Sequence, residues 1–197
     1  MWVLIFEQIL KYFFMMMLGF LFVRWKLLKS EDSRVLSILS MYLILPCAIL
    51  SSFQAQATSE NMLGLVLSFG TAAGIHVILI LATNVFGKIF HMCAEEKTSL
   101  IYSNAANMIL PLITSVLGEE WTLYACPYMS VQLILLWSHG KMMICQEKKI
   151  DLKKIISNVN IIAIILGLFL FLTGLRLPGV VSDTCSMVGN MLAPASM

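Results

Sequence analysis

Long apolar runs separated by short polar connections set the pattern of this chain. The runs predict membrane helices at about Trp2–Val23, Val35–Phe53, Met62–Phe86, Thr98–Leu117, Trp121–Trp137 and Ile155–Leu175, and Val180–Met197 opens a seventh. Each full run is 17–25 residues long, enough to cross a hydrocarbon core of about 30 Å. Polar residues inside such runs carry the information. Pro46 lies deep in the second run, His76 near the centre of the third, and Pro127 and Gln132 in the fifth. The fourth is the most disturbed, reading Ser103-Asn104-Ala105-Ala106-Asn107-Met108-Ile109-Leu110-Pro111. Every amide or freed carbonyl in hydrocarbon must find a partner, so this stretch is costly there unless protein or a water-lined cavity covers it. Pro111 lacks an N–H, which predicts a loosened carbonyl at Asn107, and Asn104, Asn107 and Pro111 at i, i+3 and i+7 share one helix face.

Interrupted helices of this kind bind solutes near the bilayer midplane in transporters, the half-helix beyond the break offering N–H groups and the positive dipole end to an anion. The plainer alternative is a kinked helix whose asparagines bond a neighbour. His76 is an ionisable group at mid-membrane depth, which points to function, although a neutral histidine also bonds across helix contacts. Gln132, on the run following the interrupted one, is a candidate lining residue. The expected solute-binding set is therefore Asn104, Asn107, Pro111, Gln132 and His76.

Composition fits a membrane class. Hydrophobic residues make up 59% and charged residues 12%, with a mean hydropathy of +0.89, whereas soluble domains carry roughly 25% charged residues. The placement of charge sets the topology. Eleven of the thirteen Lys and Arg residues fall in the first, third and fifth connections, around Arg24–Arg34, Lys88–Lys97 and Lys141–Lys154, and none in the second and fourth. Cytoplasmic loops carry the excess of Lys and Arg, so the chain is expected to be multi-pass in the cell (plasma) membrane with its N-terminus outside.

A weak repeat links the two ends. A shift of 148 residues lays Leu18-Gly19-Phe20-Leu21-Phe22 on Leu166-Gly167-Leu168-Phe169-Leu170 and Pro46 on Pro194 without a gap. Five spans separate the copies, and an odd number inverts the second copy in the membrane, as in inverted-repeat transporters. The expected organisation is a five-helix unit over 1–140, a basic cytoplasmic loop over 141–154, and the start of a second, inverted unit over 155–197.

Catalytic chemistry finds no foothold. There is no G-x-S-x-G, H-E-x-x-H or phosphate-loop motif, and the expectation is a non-enzyme without cofactor. Five cysteines without a C-x-x-C pair read as small apolar residues rather than a metal site. Nothing in the pattern points to nucleic acid.

Asn104-Ala-Ala-Asn107-Met108-Ile-Leu-Pro111-Leu112, followed by Gly118, resembles the fourth-helix signature of the auxin efflux carrier family, whose bacterial members typically read S-N-x-G-N-M-G-x-P-L there. Leu18-Gly19-Phe20 before a basic loop resembles the family's first helix, and Trp137-Ser138-x-Gly140 the end of its fifth. Asn158 to Pro178 resembles the sixth, and two family glycines are replaced by Ala106 and Ile109. The resemblance implies an all-α polytopic membrane protein with a broken fourth helix. In such proteins helices one, two, six and seven form a scaffold against which the others move. It implies as substrate a small organic anion, a carboxylate such as malate, malonate or an auxin-like acid. It covers about the first two-thirds of a usual member, so the expected partners besides the lipid bilayer are a second copy in a homodimer or a polypeptide supplying the second half. A transporter-like lipid- or sterol-binding sensor, or a truncated remnant without function, stands as the alternative.

Overall fold

A computed structural model describes residues 2–27, 29–55, 58–103, 105–145 and 156–196, with no strand among them. Among the described residues, three helices are long and apolar enough to cross a membrane: α1 (Trp2–Arg24), α2 (Ser33–Ser52) and α3 (Ser59–Ile89). The fourth span is two pieces, α4 (Ala94–Ile101) and α5 (Ala105–Val116). Next comes α6 (Thr122–Leu135), which continues through a π-helical turn at Leu136–Gly140 into Lys141–Cys145. Helix therefore extends into the stretch expected as a basic loop, and residues 146–155 lie outside those described. The chain ends with α7 (Val159–Thr173), α8 (Gly179–Gly189) and the short α9 (Leu192–Ser196). The architecture is that of an all-α membrane protein.

Local chemistry explains several boundaries. Thr58 caps α3 by accepting from the Asn61 N–H at 3.2 Å, and Asn158 caps α7 by accepting from the Asn160 N–H at 2.9 Å, each filling a donor that a helix start leaves open. Gly174, at φ +68°, closes α7 in the left-handed conformation that glycine adopts without strain. Pro46 does not end α2, because the π turn Ser40–Ile44 lies just before it and the Leu45 N–H reaches back five residues to the Ser40 carbonyl. That wider turn absorbs the hydrogen bond the proline cannot make. The 148-residue shift carries Tyr42 and Leu43 of this turn onto Asn190 and Met191, where α8 gives way to α9 ahead of Pro194.

Packing falls into two groups. One is α2 with α7 and α8, and there the backbones come very close. A Cβ on Gly189 would stand 2.8 Å from Ala48 Cα, and one on Gly167 would run into the Phe53 ring. In the other group, α3 lies along α6, with α4 against α3 and α5 against α6. Ile44, Ile49, Phe53, Leu65, Leu123 and Met129 belong to one continuous apolar core that joins the two groups. Outward faces stay hydrophobic: Phe6, Phe13, Phe14 and Phe20 of α1 are all more than half exposed, as befits side chains that meet lipid instead of water.

Candidate functional site

The interruption of the fourth span organises the site, and it does not lie where the proline suggested. Pro111 sits inside α5, and the turns after it are regular: Leu117 N–H bonds the Ile113 carbonyl at 2.8 Å and Thr114 Oγ1 bonds the Leu110 carbonyl at 3.0 Å. The chain leaves the helix at Tyr102, an extended residue at φ −110°, ψ 92°, and re-enters it at Ala105. A break costs carbonyls and amides, so it settles where other elements can satisfy them, and here α6 does so. Gln132 Nε2 donates to the Ser103 carbonyl. The Tyr102 hydroxyl is 2.8 Å from His139 Nδ1, and the π turn that carries His139 also brings Gly140 under the Tyr102 ring, where a Cβ would approach to 3.0 Å.

His76 completes this region from α3. Its ring is fully buried, 5.0 Å between centroids from Tyr128 of α6 and 6.3 Å from Tyr102. Nδ1 lies 2.8 Å from the Ala72 carbonyl; only a protonated nitrogen can make that bond, so in the neutral ring Nε2 carries the lone pair. Among the described residues, His76 Nε2 has no partner, and neither has Gln132 Oε1, on a residue 7% exposed. Each side chain therefore spends its donor on a carbonyl and keeps a buried acceptor open. Tyr128 is one turn from Gln132 on α6, so the two open acceptors flank the same break. The twelve-residue helix α5 starts there, with the N–H groups and positive dipole end of a helix N-terminus.

Of the five sequence candidates, His76 and Gln132 are brought together at the break. Asn104 lies outside the described residues; Asn107 and Pro111 lie on α5, with their side chains outside them. Sequence reasoning passed over Tyr102, Tyr128 and His139. An aromatic residue just before Ser103 and a histidine inside Trp137-Ser138-His139-Gly140 were the available signals.

A polar cleft of about 1120 Å³ opens at the end of the bundle that carries the connections free of Lys and Arg. It lies between α2, α5, α6 and α8. Its lining includes Glu60, Glu120 and Asp183 beside Gln54, Asn61 and Asn190, with no lysine or arginine among the described residues. Its rim is tied together, Tyr124 Oη donating to Asn61 Oδ1 at 2.9 Å and Leu177 N–H to Gln54 Oε1 at 3.0 Å. Leu110, Thr114 and Ser115 present α5 to the cleft, so one half-helix connects this cleft with the break. No group of three or more metal-binding side chains occurs among the described residues.

Spans, an interrupted helix backed by its neighbour, and a polar cleft meeting that helix define a membrane transporter. The family model described as membrane transport protein matches residues 4–151, and the chain belongs to that family, the auxin efflux carrier type of transporter. No curated protein and no solved structure matches it.

Proposed function

We propose that the chain is a permease for a small organic anion, held at the break between α4 and α5. The observation that carries this reading is the α5 N-terminus, whose backbone N–H groups open at the break. A carboxylate there gains the helix dipole and backbone donors. Glu60, Glu120 and Asp183 repel an anion, so the acidic cleft is not the binding place. Movement of α3–α6 against α2, α7 and α8 would pass the break from one side of the membrane to the other, and the two packing groups support that division. The loop charges support a plasma-membrane orientation with the N-terminus outside.

Binding of a radiolabelled panel (acetate, malonate, malate and indole acetate) to the chain in lipid nanodiscs tests the reading. Saturable binding of at least one acid is expected, weakened tenfold or more by Gln132→Glu, which sets a carboxylate at the break. Binding of organic cations in preference to every acid would overturn it.

A further inference from the structure

Among the described residues, no lysine or arginine is hydrogen-bonded to His76, Tyr102, Ser103 or Gln132. The cleft lining has carboxylates and no lysine or arginine. The ionisable groups around His76 are Tyr102 from α4 and Tyr128 from α6, with His139 behind Tyr102. Among the described residues, His76 makes no hydrogen bond to a carboxylate, lysine or arginine. Lys97 lies over Gly87, eleven residues and so about three turns further along α3. Lys141, two residues beyond His139, already has a partner. A helix dipole alone provides about half a charge, and a full anionic charge in a dry interior needs more compensation than that.

We infer that His76 supplies the missing charge by taking up a proton when the anion binds, so that anion and proton occupy the break together. This deepens the permease reading and rests on it. The step is simple in atoms: a proton from bulk water adds to the Nε2 lone pair, and no other bond changes. Nδ1–H stays on the Ala72 carbonyl in both states, so the ring need not turn. The new Nε2–H gives the site a buried donor where an acceptor stood without a partner among the described residues. Protonation without the anion would leave a buried cation unpaired, and anion without proton a buried anion. Each therefore favours the other to the same extent. The bound pair is electrically neutral.

The experiment measures anion binding and proton uptake together, with the chain in nanodiscs in weakly buffered solution containing a pH indicator. Indole acetate, a monoanion near neutral pH, is the probe, or acetate if that binds more tightly. Expected are up to one proton taken up per anion, and an affinity that falls by up to about tenfold per unit rise in pH. His76→Gln should abolish the uptake and flatten the pH dependence, whereas His91→Asn, at an exposed histidine away from the break, should keep both. Nitrogen NMR of the histidine-labelled wild-type chain reads the same event without a variant: one histidine gains a proton on its second ring nitrogen when the anion is added. Anion binding with no proton uptake, or uptake that survives in His76→Gln, would overturn the coupling and leave the permease reading standing. Failure of every acid in the panel to bind at any pH would overturn the permease reading, and the coupling with it.

Discussion

Gln132 holds the break closed to solvent, and replacing it by leucine tests that role in energy terms. The substitution roughly keeps volume but exchanges the polar amide for an apolar group, removing the Nε2 donor and leaving the Ser103 carbonyl unpaired. A buried acceptor stripped of its partner costs about 1–3 kcal/mol. The same change removes Gln132 Oε1, which has no partner among the described residues, so part of that cost is recovered. A net loss of about 1–2 kcal/mol remains, a factor of about 5–30 in the population of the opened break. Hydrogen exchange followed by mass spectrometry reads this locally. The peptide spanning 98–103 should exchange faster by that factor, while peptides from α2 and α8 stay unchanged. Gln132→Glu should behave no better, since an ionised carboxylate has no donor for the Ser103 carbonyl. Wild-type exchange at 98–103 in Gln132→Leu would mean that something other than this hydrogen bond holds the break, and the account of its position would fail.

Three further outcomes follow from the geometry. Gly189→Val pushes a side chain into the Ala48 backbone, 2.8 Å from an ideal Cβ; overpacking of this kind costs about 1–3 kcal/mol. The melting temperature in nanodiscs should drop, and an unchanged melt would contradict the close α2–α8 contact. Tyr102→Phe removes the hydroxyl bonded to His139 Nδ1 and should destabilise by about 0.5–1.5 kcal/mol; in a double-mutant cycle with His139→Gln the two effects should be less than additive, and strict additivity would show that the pair does not interact. For topology, a cysteine at Glu60 in a cysteine-free background should react with a membrane-impermeant maleimide on intact cells, and one at Lys88 only after permeabilisation; the reverse pattern would invert the orientation.

Hydropathy alone determined the class of this protein and the placement of its long spans, because a helix that must satisfy its own backbone in lipid announces itself by length and composition. The helices α1, α2 and α3 begin and end within about three residues of the apolar runs that predict them. The fourth span was marked as interrupted for the right reason, an excess of polar and helix-breaking residues, and His76 and Gln132 stood out as polar groups inside apolar runs. Where the helix actually breaks was a tertiary decision. Proline's missing N–H is a local fact, and it drew attention to Pro111, yet α5 runs through that residue. A break settles where its carbonyls and hydroxyls find partners. The partners at Tyr102 and Ser103 are His139 and Gln132, which stand 37 and 29 residues further along the chain. Helix periodicity does not encode that contact. It depends on the π turn that sets the register of the α6 continuation and on a glycine small enough to let the Tyr102 ring lie against it. The open His76 acceptor on which the proposed proton would sit became visible only once the bonds around the break had shown which donors were already taken.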